Sequence, residues 1–318
     1  MEKEKVLQKL FSLHQFGIKL GLENIQKLLD QINNPHYNLK CFHVAGSNGK
    51  GSTSSFIASI LMEMGFKVGL YTSPHFVNFN ERIRINGKEI EDNYIIDFID
   101  NLNEYVENEK PTFFEITTAM AFKYFDEKKV DYAVIETGLG GRLDATNVIM
   151  PISSIITSIS LEHTEHLGNT LEQIAFEKGG IIKNEKPVFI GKLPKDAEDV
   201  ILKISQERKS KLFRVIDFIE DYNFSLLVKC KNFNINLYKT PLLGKHQLYN
   251  AALAIKTIDE NFQVQSHKIL NGIKKVIKNT SIQGRYEVYN NFPKVIFDSA
   301  HNPEGIQSFI EEFKKEKF

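Results

Sequence analysis

The chain has 318 residues, with forty basic and forty acidic side chains, so its formal net charge at pH 7 is zero. Such a balance argues against nucleic acid or an anionic membrane as the partner, and no apolar run approaches the length needed to span a bilayer. Two cysteines, Cys41 and Cys230, lie far apart in expected strands and read as buried small hydrophobes of a reducing cytoplasm. The length allows one large domain plus part of another. The charged start, Met1 to Lys5, leads into an amphipathic helix and does not read as a signal peptide. There is no internal repeat, low-complexity tract or obvious linker.

Residues 1–33 predict two helical segments, the second ending near Asn33-Asn34-Pro35. A strand over Lys40–Ala45 then runs into Gly46-Ser47-Asn48-Gly49-Lys50-Gly51-Ser52-Thr53, followed by a helix through Phe56, Ile57, Ile60, Leu61 and Met64. Glycines let the backbone curl so that successive N–H groups face inward, and the helix N-terminus adds partial positive charge. Lys50 can meet the terminal phosphates of a nucleotide, and Ser52 or Thr53 can ligate magnesium. The string departs from Walker A: Val44 stands where the first glycine belongs, and Gly51 separates the lysine from the hydroxyl. Taken alone, it could be a glycine-rich strand-to-helix turn without a ligand.

Gly65 caps that helix, Lys67–Thr72 reads as a second buried strand, and Ser73-Pro74-His75 opens a loop reaching Arg82. Arg82–Ile90 alternates around Asn86-Gly87, a hairpin signal. Helices follow at about 92–107 and 112–128, then a strand over Val130–Ile135 that ends in Glu136. The glycine-rich stretch Thr137–Asn147 comes next, then a β-branched strand over Ile152–Ile159 before Glu162-His163. Thr170 can cap a helix running to Lys178. Strand Pro187–Ile190, helix 195–209, shorter strands near 211–216, 224–229 and 233–238, and helices at 246–261 and 266–278 complete the first domain. The alternation predicts an α/β fold: a mostly parallel sheet flanked by helices, of the P-loop nucleotide-binding type.

The Lys50 loop, Ser73, Glu136 and His163 each fall just past the C-terminal end of an expected parallel strand, where open α/β sheets bind ligands. Glu136 has no packing reason to end an apolar strand, so a role in holding magnesium is preferred to a solvated carboxylate. Ser73 could supply a second ligand or be a plain turn residue before Pro74. His163 could be a ligand or a polar loop residue; His166 reads as surface. Lys178 precedes Gly179-Gly180, where a lysine meets a helix dipole and a glycine cap. Glu115 completes a capping box with Thr112. No Ser/His/Asp or Cys/His nucleophile set stands out, and two cysteines cannot make a thiolate zinc site.

With these pieces together, the sequence resembles the bifunctional dihydrofolate synthase/folylpolyglutamate synthase family, a branch of the Mur-type ATP-dependent amide ligases. The resemblance rests on His43–Ser52, Thr72-Ser73-Pro74-His75, Asn80–Arg84, Phe113-Phe114-Glu115 and, most specifically, Glu136–Asn147. It continues through His163-Thr164, Glu177-Lys178, Gly180–Lys183, His246-Gln247, Asn250-Ala251, Gly284-Arg285 and Asp298–Pro303. It implies a reaction in which a substrate carboxylate attacks the γ-phosphate of ATP, and the amine of L-glutamate then displaces phosphate from the acyl phosphate. The implied substrates are dihydropteroate and folates carrying glutamate, handled in folate biosynthesis by a monomer. The implied assignments give the nucleotide to Gly46 through Ser52, with Asn250 and Arg285, and two magnesium ions to Ser52, Ser73, Glu136 and His163. Lys178 would be carbamylated, Asp298 and His301 would reach the reacting centre, and the loop after Ser73 would help hold the pterin.

Several positions depart from the family pattern: Ser47 for threonine, Glu162 for aspartate, Gly179 for alanine and Ser299 for glycine. Only 34 residues follow Gly284, which reads as the incomplete start of a C-terminal glutamate-ligase domain over 285–318: a strand or two and one helix with Pro303 in its first turn. Such a unit should be poorly anchored, or lean on the first domain or another chain. The resemblance thus implies an ATP-binding and pteroate-binding domain over 1–284 with weak or absent ligation by this polypeptide alone, and the rival reading is a non-catalytic nucleotide-binding remnant. A cell-wall Mur ligase is disfavoured because too few residues precede Gly46 to form a domain for a UDP-linked substrate.

Overall fold

The computed structural model describes residues 2–13, 17, 19–222 and 225–316. Phe224, the first residue of the strand expected over 224–229, and the last two residues of the tail lie outside these. So do Met1, residues 14–16 and residue 18 of the N-terminal helical region.

Helices α1 (Glu2–Ser12) and α2 (Glu23–Gln31) lead to β1 (Cys41–Ala45), whose five residues are all buried. Then come α3 (Lys50–Glu63), β2 (Val68–Tyr71), β3 (Ile83–Ile85), β4 (Lys88–Glu89), α4 (Asp92–Asn101), α5 (Asn103–Glu109) and α6 (Phe113–Glu127). The middle holds β5 (Tyr132–Glu136), β6 (Ser153–Ile156), α7 (Thr164–Leu167), α8 (Leu171–Gly179), β7 (Val188–Ile190), α9 (Lys195–Glu207) and β8 (Leu212–Arg214). A helical turn, α10 (Val215–Phe218), leads into β9 (Ile219–Tyr222), β10 (Ser225–Lys229) and β11 (Asn234–Leu237). Then follow α11 (Lys245–Asn261), α12 (Ser266–Lys274), α13 (Val276–Thr280), β12 (Glu287–Asn291), β13 (Lys294–Phe297) and α14 (Pro303–Phe313).

The main sheet has the order β4-β3-β2-β5-β1-β6-β7-β8. From β2 to β8 the pairs are parallel, and β3 and β4 extend the edge antiparallel. Registers place Val44 opposite Glu136 and Ala45 opposite Ile156, so the C-terminal ends of β1, β5 and β6 share one edge. The α/β class and the parallel centre agree with the sequence reading. The hairpin forms where Asn86-Gly87 allows it, both residues having positive φ (48° and 77°).

Helix α3 is buried on every side: Phe56, Ile57, Ile60 and Leu61 are all 0% exposed, and so are Ser52, Thr53 and Ser54. It is held between the sheet and helices α11 and α12. Burying each large apolar side chain stabilises the fold by about 1.5–3 kcal/mol relative to exposure. Helix α12 comes this close because Gly272 has no side chain: a Cβ there would lie 2.5 Å from Ile60 Cα. Ser59 Oγ donates to Gly272 O at 2.7 Å and joins the two helices.

Several expected elements differ in extent. The helix expected over 92–107 breaks at Leu102, and that over 266–278 breaks at Lys275. The strand expected over 152–159 pairs only from Ser153 to Ile156, because the following residues turn to meet the Gly46–Lys50 loop. Segment 211–216 is a short strand followed by a helical turn. Strands β9–β11 form their own antiparallel sheet against α11. Cys41 is buried, but Cys230 follows β10 and is only half-buried.

After Gly284 the chain forms an antiparallel hairpin, β12–β13, and then α14, none of whose residues is buried. Its contacts with the rest include Phe76 against Phe297, edge to face at 5.3 Å, and Asn302 Nδ2 donating to Asn48 Oδ1 at 2.9 Å.

Candidate active site

The loop after β1 turns through Gly46 and Gly49; the left-handed φ of Gly49 (85°) begins α3. It is clamped from β6 by a group of hydrogen bonds that sequence reasoning missed. Thr157 Oγ1 donates to Asn48 O at 2.6 Å, Ser158 Oγ donates to the same carbonyl at 3.0 Å, and Asn48 N donates to Ser158 Oγ at 2.8 Å. Ser47 N donates to Ser158 O at 2.9 Å. A Thr-Ser pair at the end of a buried parallel strand was the available signal. Lys50 Nζ curls over the loop, donating to Gly46 O (2.8 Å) and Ser47 O (3.2 Å). Ser52 Oγ is buried without a hydrogen-bond partner.

Glu136 is 3% exposed, and its Oε2 accepts from Ser73 N at 3.3 Å. Burial pushes its carboxyl up to about 7, opposed by the charges of Lys50 and Arg285. The three lie close together: a Cβ on Gly51 would stand 3.2 Å from Arg285 Nη2 and 3.5 Å from Glu136 Oε2. Arg285 Nη1 donates to Gly284 O (2.9 Å) and to Ser299 Oγ. Asn250, buried on α11, packs against Gly49 and donates to Gln247 Oε1 at 3.0 Å.

His163 has a left-handed backbone (φ 45°) and an exposed side chain at the start of α7. Asp298 accepts from Tyr286 N and Ala300 N at 2.7 and 2.8 Å, and the exposed His301 pairs through Nδ1 with Ser299 O at 2.9 Å. Ser47 through Ser52, Ser73, Glu136, His163, Asn250, Arg285, Asp298 and His301 all line one cavity of about 850 Å³. Gly46 is the turn beneath it. Lys178 stands behind its wall, at the end of α8, and is 1% exposed. Its burial corrects the reading of an ordinary capping lysine: Nζ donates to Glu162 Oε1 at 2.7 Å, and Glu162 does line the cavity. Burial and then the charge of Lys50 bring the Lys178 pKa down to about 8, against the pull of Glu162.

The stretch after Glu136 is held by Asp144, which accepts from Gly138 N (2.9 Å), Leu139 N (2.8 Å) and Thr146 N (3.0 Å). That loop and the start of α6 bring Phe113, Phe114 and Leu139 to the cavity, and β3 with its preceding turn brings Arg82 and Arg84. Thr112 and Glu115 form the expected capping box. Among the described residues no group of three or more His, Cys, Asp or Glu side chains forms a metal cage. The oxygen donors present, the unpartnered buried hydroxyl of Ser52 and the buried carboxylate of Glu136 at the start of α3, suit magnesium, which keeps water ligands of its own.

A model of the Mur ligase middle domain matches residues 44–258, from the last residues of β1 to α11. The dihydrofolate synthase/folylpolyglutamate synthase of Bacillus subtilis (strain 168) is 37% identical over 95% of this chain and 74% of its own length. The chain belongs to this ligase family. Among solved structures, the family's folylpolyglutamate synthase in complex with AMPPCP and folate superposes with a TM-score of 0.87 at 32% identity, covering 98% of this chain and 80% of that one. Escherichia coli FolC in complex with DHPP and ADP gives 0.88 at 31% identity, over 98% of this chain and 75% of that one. Family membership bears out the expected Mur-type ligase fold and enzyme class. No helix among the described residues is long and apolar enough to cross a membrane.

Proposed function

We propose that this chain is a cytoplasmic, monomeric, ATP-dependent amide ligase that joins L-glutamate to dihydropteroate, to folylpolyglutamates, or to both. The observation carrying this reading is the single cavity in which a phosphate-type loop, Lys50 and the buried Glu136 face an aromatic wall with two arginines. The complexes of relatives with AMPPCP, ADP, folate and DHPP support the same pairing of ligands.

In this reaction the substrate carboxylate attacks Pγ of ATP. A carboxylate O–P bond forms, the bridging Pγ–O bond breaks, and ADP leaves with its electron pair. The glutamate amine then attacks the acyl carbon, loses a proton, and expels inorganic phosphate to leave an amide. Lys50 and the N–H groups that begin α3, Gly49 to Ser52, offset the charge on the transferring phosphoryl group, while Ser47 N and Asn48 N stay bonded to Ser158. Ser52, Ser73, Glu136 and His163 are the residues that would hold two magnesium ions, which would supply charge neutralisation at the phosphates. Asn250 and Arg285 would bind the nucleotide, and Asp298 and His301 would meet the reacting centre.

The proposal includes a carbamate on Lys178. Its lowered pKa makes the neutral amine accessible near neutral pH, but Glu162 has to release the amine before it can add carbon dioxide. A carbon-13 spectrum taken with labelled bicarbonate tests for the modification. For the residue assignments, the domain division is 1–284 with a second unit from 285 to 318.

The test of the function is coupled ADP release with dihydropteroate or folylglutamate and glutamate, beside a calorimetric ATP titration. Glutamate-dependent release supports the ligase. ATP binding without turnover under either substrate would defeat it.

A further inference from the structure

Side chains alternate at the start of β3: Ile83 enters the core at 0% exposure, while Arg84 and Arg82, the last residue of the turn before the strand, line the cavity. Both arginines are more than nine-tenths buried. Arg82 stands beside Thr72, whose N–H donates to Arg82 O at 3.0 Å; the next residue, Ser73, touches Glu136. The arginines therefore flank the place where a carboxylate must approach the γ-phosphate.

Their existing partners leave much of each guanidinium unused. Arg82 Nε donates to His75 Nδ1 at 2.7 Å, and its guanidinium lies 5.0 Å over the Phe113 ring. Arg84 Nη2 is 3.5 Å from Glu89 Oε1, whose side chain is 39% exposed, and Arg84 Nε is buried with no partner. Of the nearby acids, Glu81 is fully engaged and Glu115 is engaged through one oxygen, its Oε1 being buried without a partner. Glu81 accepts from the N–H groups of Phe76, Val77 and Asn78 at 2.8, 2.9 and 2.6 Å, and Glu115 Oε2 accepts from Thr112 N. A guanidinium carries five donors, and burying them unmatched is costly. An anion that offers paired oxygens would satisfy them.

We infer that Arg82 and Arg84 form a subsite for a second substrate carboxylate, one that does not react. The phosphates have Lys50 and the start of α3 on another wall. The surface around the arginines is apolar and aromatic, through Phe113 and Phe114, which suits a ring-bearing ligand with an acidic end. Pteroate has a single carboxylate, and that one must react. Pteroylglutamate has two, so after its γ-carboxylate is aimed at the phosphate its α-carboxylate remains to be held. The pair thus favours substrates that already carry glutamate over dihydropteroate-like ones. This inference rests on the ligase reading above.

The test is calorimetric binding of pteroylglutamate and of pteroyl-4-aminobutyrate, which lacks only the α-carboxylate, to the full chain with magnesium and a non-hydrolysable ATP analogue. The wild type should bind pteroylglutamate at least tenfold more tightly. In Arg84→Met that preference should fall to within about twofold, and Arg84→Lys, which keeps charge and stem, should retain part of it. Equal wild-type affinity for the two ligands overturns the inference while leaving the ligase reading intact. So does a preference that survives in both variants. Wild-type binding of neither pteroyl compound overturns the ligase reading and this inference with it. Should Arg84→Met melt with the wild type's cooperativity lost, the Lys variant and the wild-type ligand pair still decide.

Discussion

Helices α3 and α14 both carry large apolar residues at helical spacing, yet their surroundings are opposite. In α3, Phe56, Ile57, Ile60 and Leu61 are wholly buried between the sheet and two helices. In α14, Ile306, Ile310 and Phe313 remain 45%, 37% and 38% exposed. Periodicity makes a helix amphipathic; only a partner surface converts that stripe into stability. The same contrast runs through the site, since Lys50 and Glu136 stand on the packed framework, whereas Asp298 and His301 stand on the thinly covered tail.

The contrast is broken first at the chemistry. Lys50→Ala should lower glutamate-dependent ADP release by about 10²–10³-fold with little change in melting temperature; an intact rate would remove the phosphate loop from the mechanism. Next comes the core: Phe56→Ala should cost about 3–5 kcal/mol in urea unfolding. The matched change on the tail, Ile310→Ala, should cost less than about 1 kcal/mol. Equal losses would show that the two helices are equally anchored.

Glu136 sharpens the comparison through pH. Its folded pKa, about 7, lies above the unfolded value of 4.5, so the folded state holds the proton more tightly. Stability therefore falls as pH rises from about 4.5 to about 7, by up to about 3 kcal/mol, and changes no further above that. Glu136→Gln should melt higher than the wild type at pH 8, and that advantage should vanish near pH 4.5. A pH-independent difference would place the carboxylate in a wetter setting. The smallest effect belongs to Asn302→Ala, which breaks the bond to Asn48: nucleotide KM should rise about two- to fivefold, in line with about 0.5–1 kcal/mol for a neutral hydrogen bond.

Local rules made much of this legible before the fold was known. Asn86-Gly87 encodes its turn, Thr112 encodes a capping box with Glu115, Thr170 encodes a helix cap, and the apolar run before Glu136 encodes a strand that ends at a carboxylate. What escaped depends on distant partners. Lys178 has the local signature of a helix end, and only the approach of Glu162, sixteen residues earlier, makes it a buried ion pair. Arg82 and Arg84 read as polar positions of a hairpin; their burial comes from the fold around the cavity. Thr157 and Ser158 look like the continuation of a β-branched strand until the Asn48 carbonyl claims their hydroxyls.

Gly272 seats α12 on α3 at Ile60, ten residues on from Lys50 and so roughly 15 Å along the helix axis from it. Any side chain at position 272 would have to push α12 and α3 apart at Ile60, on the helix whose first residue is Lys50. A variant there would look, in an enzyme assay, like damage to triphosphate recognition, although the lesion touches no ligand at all.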